Sequence, residues 1–157
     1  IRCMPNTPAM IGLGASALFA PDSVEAAHRK LAEQVTNAAG KTVWVTREDL
    51  LDAVTAVSGS GPAYFFALIE AIARTGTELG LEEEVAMALT VQTALGAASL
   101  AAQATEPVAT LRENVTSPGG TTAQALQSLR AHDFDAVVAE AVRQCAARAK
   151  ALGEEFG

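Results

Sequence analysis

The sequence predicts a mainly α-helical protein whose helices follow a small β–α–β segment. Half of its 157 residues are hydrophobic but only 4% are aromatic, so its core is built mostly from small aliphatic side chains. Residues 1–46 hold short segments of strand character around one helical pattern, and from residue 47 onward the apolar residues have helical spacing. We therefore expect two parts, 1–46 and 47–157, of which the first is too small to be a whole domain.

The first part predicts three short strands and one helix. Pro5 and Pro8 end the first strand and place Asn6 and Thr7 in a stiff, extended loop that presents both side chains at fixed positions. Ser23 is the predicted N-cap of the helix, which ends near residue 40. The alternating, β-branched residues that follow predict the last strand. The predicted strands are residues 1–4, 14–19 and 41–46.

The second part predicts six helices separated by Gly and Pro. The sequence Ser-Gly-Ser-Gly-Pro at residues 58–62 is predicted to separate the first helix from the second, and Pro62 suits the first turn of the second helix. Gly80 ends that helix. The predicted helices are residues 47–57, 63–79, 82–104, 107–113, 121–130 and 133–152.

Charge and cysteine content exclude several classes of function. The net charge is −7 and Lys and Arg form no cluster, so we expect no nucleic-acid partner. Cys3 and Cys145 lie far apart without metal-ligand spacing, so we expect two reduced thiols in a cytoplasmic protein. No secretory signal pattern is present. Because the chain begins at Ile1, within a predicted strand, we interpret it as a fragment or a trimmed chain.

Residues 85–105 carry no charge, which raises the question of a membrane span. They are rich in Ala, Ser and Thr, which let helices pack closely, so we predict a helix buried among other helices and no membrane association. Several helices are apolar on more than one face, and a chain of this size cannot cover all of those faces. We therefore expect an obligate homo-oligomer.

Three motifs have simple structural explanations. Residues 12–17 match the dinucleotide pattern G-x-G-x-x-G/A, but no strand leads into them and no helix follows, so we reject a dinucleotide site there. Residues 58–64 could present N–H groups and hydroxyls, although close helix crossing at their glycines explains them more simply. His28 and His132 stand alone, so we predict no metal site. The lack of an acid–base pair favours binding or cofactor-driven chemistry.

The loop Asn114-Val-Thr-Ser-Pro-Gly-Gly-Thr-Thr122 is the strongest candidate for a ligand site. It opens onto the start of a predicted helix, where free backbone N–H groups and the helix dipole favour an anion. Pro118 and the two glycines after it can turn several N–H groups toward one point. A carboxylate or phosphate would suit this site. A plain helix–helix corner, with Thr121 and Gln124 as a capping box, explains the residues equally well.

Three blocks together resemble the pyrroline-5-carboxylate reductase family. They are residues 4–9 (Met-Pro-Asn-Thr-Pro-Ala), 52–64 (Asp-Ala-Val-Thr-x-x-Ser-Gly-Ser-Gly-Pro-Ala-Tyr) and 117–122 (Ser-Pro-Gly-Gly-Thr-Thr), in the family's order and spacing. The resemblance implies NADPH- or NADH-dependent reduction of 1-pyrroline-5-carboxylate to L-proline. It also implies that residues 1–46 are the C-terminal remnant of a Rossmann domain. Residues 47–157 would be a helical dimerisation domain, like that of 6-phosphogluconate dehydrogenase.

The resemblance also assigns roles by position. Thr122 would be the catalytic residue near the ring nitrogen, in a loop that holds the substrate carboxylate. The other implied substrate-binding residues are Ser117, Gly119, Gly120 and Thr121. The residues implied to line the nicotinamide are Met4, Pro5, Asn6 and Asn114. Partners would be a second copy in an interlocked homodimer, or further copies in a decamer. Because the nucleotide-phosphate loop is not among these residues, we expect the isolated chain to be inactive.

Two other hypotheses stay open. The chain could be a non-catalytic helical dimerisation or ligand-binding module that uses the anion loop without chemistry. It could also belong to a reductase of similar architecture that acts on a different cyclic imine or small acid. Rates on substrates of different ring size would separate that reductase from the first.

Overall fold

The structure is a computed structural model that describes residues 1–156. They form three β-strands and seven α-helices, which confirms the predicted mainly helical class with a small sheet at the start. The chain separates into two compact units: Ile1–Phe65 with the segment from Ala139 onward, and Phe66–Val138. The predicted boundary near residue 46 concerns the domains of a longer protein and stays a prediction.

The first unit contains a three-stranded sheet around one buried strand. Its strands are β1 (Arg2–Met4), β2 (Gly14–Phe19) and β3 (Gly40–Trp44). The central strand β2 pairs antiparallel with β1 and parallel with β3. Ala17 and Leu18 are 1% exposed, so the core of this unit lies against β2. The three predicted strands are confirmed to within two residues at either end.

Helix α1 (Ala26–Asn37) connects β2 to β3. Arg29 fixes the start of this connection, because its guanidinium donates to the carbonyls of Ala20 and Pro21 and lies 5.5 Å from the centre of the Trp44 ring. The predicted N-cap at Ser23 was wrong. Pro21 accepts a hydrogen bond from the N–H of Val24, so Ser23 lies within a turn and the helix begins later.

Two glycines allow β2 and β3 to approach closely where both strands begin. Gly14 pairs with Gly40 in the parallel register. A Cβ on Gly14 would lie 2.8 Å from the Ala9 Cβ and from the Ala39 carbonyl oxygen, and a Cβ on Gly40 would overlap the backbone of Gly14. Gly40 also has φ of 148°, which side chains rarely adopt. The start of the parallel pair therefore requires glycine on both strands.

The segment between β1 and β2 is a short 3-10 helix, Thr7–Ile11, so the predicted extended loop was wrong. Pro8 sits in its first turn, where the fixed φ and missing N–H of proline cost nothing. Gly12 ends the turn with φ of 75°. Gly12 thus ends a helical turn and Gly14 begins a strand, which supports the rejection of a dinucleotide loop at these residues.

The predicted break at residues 58–62 was wrong, because the helix continues through them. Helix α2 (Leu50–Val54) runs into a π-helical turn, Thr55–Gly59, and then into α3 (Gly61–Glu78). The Gly and Pro residues here do not end the helix, which is wider by one residue at this turn. The spacing of apolar residues does not predict this π-helical turn.

The second unit contains the rest of α3 and the helices that follow. These are α4 (Glu83–Gln103), α5 (Val108–Asn114), α6 (Thr121–Ala131) and the beginning of α7 (Phe134–Phe156). Helices α3 and α4 meet where Gly76 faces Ala86, which is 2% exposed. The hydroxyl of the buried Thr90 donates to the Ala86 carbonyl, so this contact buries no unpaired hydroxyl. The predicted bounds of these helices agree with the structure, except that α7 extends to Phe156.

Much of the helical surface is apolar and uncovered. Leu89, Leu95 and Leu100 on α4 are 57%, 51% and 68% exposed. By length and composition alone, Leu50–Glu78 and Glu83–Gln103 could each cross a membrane. Their small apolar residues suit helix–helix contact equally, and exposed apolar area on this scale is typical of surfaces that a partner covers.

Candidate functional site

The loop between α5 and α6 forms a tight turn at its glycines. The Gly120 N–H donates to the Ser117 carbonyl at 3.0 Å, and Gly119 has φ of 69°. Pro118 followed by a residue of positive φ is the pattern of a type II turn. A Cβ on Gly120 would overlap the Ser117 side chain, so glycine lets the Ser117 hydroxyl lie directly against the start of α6.

The first turn of α6 leaves backbone donors available. Gly120 is the N-cap, with extended backbone and no side-chain hydrogen bond, so the predicted capping box of Thr121 and Gln124 was wrong. The Gln124 N–H donates to the Gly120 carbonyl, which leaves no intrahelical acceptor for the N–H groups of Thr121, Thr122 and Ala123. The helix dipole adds partial positive charge at the same point. This geometry suits a carboxylate or a phosphate.

The hydroxyl of Thr116, earlier in the loop, is already bonded to the backbone. The Thr116 hydroxyl donates to the Arg112 carbonyl, and the Thr116 N–H donates to the Glu113 carbonyl. Asn114 is exposed at the last residue of α5. The structure places all five predicted substrate-binding residues around one helix start: Gly120 is the N-cap of α6, Thr121 and Thr122 are its first two residues, and Ser117 and Gly119 lie in the turn before it.

A second group of predicted site residues lies at the end of β1, in the other unit. The Asn6 carboxamide is bonded on both sides: its Oδ1 accepts from the Ala15 N–H at 2.8 Å, and its Nδ2 donates to the Ser58 carbonyl at 3.0 Å. The Met4 sulfur lies 3.6 Å from the position of a Cβ on Gly59. Met4 and Asn6 therefore both contact the π-helical turn, while Pro5 is exposed between them.

The sequence alone did not predict the polar cluster around this turn. The Tyr64 hydroxyl donates to the Ala56 carbonyl at 3.0 Å, and the Cys145 thiol donates to the Ser60 hydroxyl at 3.2 Å. Interaction with the Cys145 thiol, and to a lesser extent desolvation, raises the pKa of Tyr64 above its ordinary value. The one sequence signal near this cluster is Pro62, whose missing N–H leaves the Ser58 carbonyl free for the Asn6 side chain.

An open cavity of about 390 Å³ lies beside these residues in the same unit. Small apolar side chains of β2, β3, α2 and the π-helical turn line it, with Lys41 as the one charged lining residue. Ligand sites need several convergent polar groups, and this lining offers few. Across residues 1–156, no cluster of three or more His, Cys, Asp or Glu side chains could hold a metal ion.

Comparison with known proteins identifies the family. Residues 48–152 match the model of the family described as pyrroline-5-carboxylate reductase dimerisation. The chain belongs to the pyrroline-5-carboxylate reductase family. It is 48% identical over 157 residues to the pyrroline-5-carboxylate reductase of Pseudomonas aeruginosa, and aligns with all of this chain and 58% of that protein. It is 43% identical to the Pasteurella multocida enzyme, with 99% of this chain and 57% of that protein aligned.

Solved structures of the family have the same fold. The pyrroline-5-carboxylate reductase of Coxiella burnetii superposes with a TM-score of 0.94 at 43% identity, covering 96% of this chain and 56% of that chain. The pyrroline carboxylate reductase of Plasmodium falciparum, solved with NADP bound, gives 0.88 at 34% identity and covers 96% and 62%. The chain thus spans less than two thirds of the length of these relatives.

Proposed function

We propose that this chain is part of an enzyme that reduces 1-pyrroline-5-carboxylate to L-proline with NADPH or NADH. The family match over residues 48–152 is the observation that carries this proposal. The relatives are longer than this chain, so we propose the activity for a longer protein that contains this chain, called here the longer protein. NADP in the Plasmodium falciparum relative favours NADPH as the cofactor. The cofactor supplies the hydride, and the residues described here would bind the substrate and orient it against the nicotinamide.

The loop between α5 and α6 is the proposed site for the substrate carboxylate. The carboxylate would accept hydrogen bonds from the free N–H groups at the start of α6 and from the Ser117 hydroxyl. The side chain of Thr122, in the first turn of α6, would then face the ring nitrogen of the same small molecule. Hydride adds to the imine carbon more readily when that nitrogen is protonated, so orientation and charge placement are the main demands on this site.

Residues at the end of β1 are proposed to contact the nicotinamide. Asn6 is held on both sides and has one N–H and one lone pair left for a ligand. Met4 and Pro5 would supply apolar contact to the ring, and Asn114 is assigned to the same side by the family resemblance alone. Met4, Pro5 and Asn6 lie in the first of the three blocks that resemble the family, at residues 4–9, which supports this assignment.

The proposed assembly is an interlocked homodimer in the cytoplasm, and a decamer is the larger assembly to be tested. Helix α4 carries no charge from Val85 to its last residue, Gln103, and exposes leucines along its length. Light scattering of the purified longer protein separates the monomer, dimer and decamer by mass.

The test of the proposed function is NADPH oxidation with 1-pyrroline-5-carboxylate, measured on this chain and on the longer protein. We expect turnover with L-proline as product in the longer protein and none in this chain. A folded, cofactor-binding longer protein without turnover on this substrate would contradict the proposal. Cyclic imines of other ring size would then be the next substrates, and a binding role without chemistry the remaining alternative.

A further inference from the structure

The π-helical turn leaves two of its carbonyl groups without a helical donor. In an α-helix each carbonyl accepts from the N–H four residues later. The Ser60 N–H, which would pair with Ala56, instead donates to Thr55 at 2.8 Å. For Ser58 the fourth residue is Pro62, which has no N–H. The Ala63 N–H cannot replace it because it donates to the Ser60 carbonyl.

Side chains from outside the turn satisfy both carbonyls. Ala56 accepts from the Tyr64 hydroxyl, and Ser58 accepts from the Asn6 carboxamide. Without the Ser58 carbonyl, the Asn6 side chain would have one fixed bond, to the Ala15 N–H, and could rotate about it. With both bonds, the orientation of the Asn6 amide is fixed, because Oδ1 faces the Ala15 N–H and Nδ2 faces the Ser58 carbonyl.

We propose that Pro62 is a positioning residue for Asn6, acting by keeping the Ser58 carbonyl free to accept the Asn6 side-chain N–H. This rests on the proposed function, in which Asn6 contacts the nicotinamide. Its consequence is that Pro62 helps to orient the cofactor ring through the backbone N–H that it lacks. π-Helical turns are frequent at functional sites. Here Pro62 accounts for the free Ser58 carbonyl in such a turn.

Replacing Pro62 by Ala gives a sharp test. It restores an N–H that can pair with Ser58, and it removes a ring that opposes a regular helix, so folding should not be impaired. In the longer protein we expect kcat with 1-pyrroline-5-carboxylate to fall about fivefold, corresponding to one lost hydrogen bond, while the cofactor KM changes less than about twofold. Pro107→Ala, at the start of α5, is the matched control and should leave both constants unchanged.

A double-mutant cycle with Asn6→Asp separates positioning from a loss of active protein. Aspartate keeps the acceptor for the Ala15 N–H but has no N–H to donate to Ser58. In that background Pro62→Ala should reduce kcat less than about twofold further, because the bond it removes is already absent. An equal fivefold loss in both backgrounds would overturn the inference, as would a Pro62→Ala enzyme with unchanged kcat.

The same cycle on the unfolding equilibrium does not depend on turnover. We expect the unfolding constants of the four proteins to show a coupling of about fivefold between residues 6 and 62. If the wild-type protein fails to oxidise NADPH, the proposed function falls, and this coupling alone decides the inference. Additive effects on unfolding would then contradict it.

Discussion

The Tyr64 hydroxyl donates a hydrogen bond to the Ala56 carbonyl, 3.0 Å away, across the π-helical turn. Ala56 is fully buried, so water cannot take the place of the tyrosine. The Cys145 thiol lies in the same cluster through its bond to Ser60. The Tyr64 side chain thereby supplies the hydrogen bond that the Ala56 carbonyl does not receive from the helix backbone.

Replacing Tyr64 by Phe should therefore destabilise the protein. The ring stays, but the Ala56 carbonyl loses its donor in a buried place, and we expect the free energy of unfolding to fall by about 1–2 kcal/mol. Denaturant unfolding measures this value. Thr116→Val is the matched control, since the Thr116 hydroxyl bonds the Arg112 carbonyl at an exposed site and its loss should change little. Equal effects of the two substitutions would contradict this prediction.

The contribution of Tyr64 should also depend on pH. Its pKa in the folded protein is raised above the ordinary value of 10.0, chiefly by the interaction with Cys145. Its stabilising effect is therefore fully present below pH 10 and is lost as the pH rises through the raised pKa. The difference in unfolding free energy between wild type and Tyr64→Phe should shrink in this range. A constant difference up to strongly alkaline pH would count against the assignment.

Thr122→Ala in the longer protein should impair turnover more than cofactor binding. If its side chain faces the substrate ring nitrogen, kcat/KM should fall at least about tenfold, the cost of a hydrogen bond to a charged group. The dissociation constant of NADPH, followed by fluorescence, should stay the same. Thr116→Ala removes a hydroxyl of the same loop that is bonded to a backbone carbonyl, and should be much milder. Unchanged kcat/KM in Thr122→Ala would remove its proposed role.

Gly76→Ala tests the close approach of α3 and α4. The new Cβ would lie 3.2 Å from the Ala86 Cβ, so one helix must shift. We expect a loss of about 1 kcal/mol in spite of the better helix propensity of alanine. Gly153→Ala in α7, where a Cβ meets nothing within 4 Å, should instead stabilise by about 0.5 kcal/mol. Stabilisation by both variants in thermal unfolding would show that the helices do not meet this closely.

A charge on α4 should prevent assembly. Leu95 is 51% exposed in this chain, so Leu95→Glu should be tolerated within one copy but should not be tolerated in a buried helix–helix interface. Light scattering should show the mass of a monomer. Gln103→Glu adds the same charge at the polar end of the helix and should keep the wild-type mass. Dimers of Leu95→Glu at micromolar concentration would place the interface elsewhere.

Most of the fold followed from local sequence patterns. The periods of apolar residues, together with Gly80 and the prolines, predict the helices and strands because each element buries one face. Ser23 misled the prediction, since a turn at Pro21 uses the residues where a cap was expected. The break at residues 58–62 was also mispredicted. Gly and Pro indicate an irregular backbone, but bonds from distant residues decide whether the helix ends or widens.

The candidate site was predictable only in part. The geometry of the loop from Ser117 to Thr122 could be predicted from its own residues, because Pro118, Gly119 and Gly120 specify the turn. The bonds of Asn6 could not be predicted, as its partner Ser58 lies 52 residues away. The roles proposed for Thr122 and Asn6 came from the family resemblance, and they remain predictions for the experiments above.

The π-helical turn accommodates one extra residue, because its hydrogen bond from the Ser60 N–H to the Thr55 carbonyl spans five residues in place of four. Each residue of an α-helix advances about 100° around the axis and about 1.5 Å along it. The wider turn absorbs that advance, so α3 keeps nearly the rotational phase of a regular helix with one residue fewer. A deletion between Thr55 and Gly59 that restored a regular helix would therefore leave the faces of α3 in place, but would remove the wide turn that leaves the Ala56 carbonyl to Tyr64.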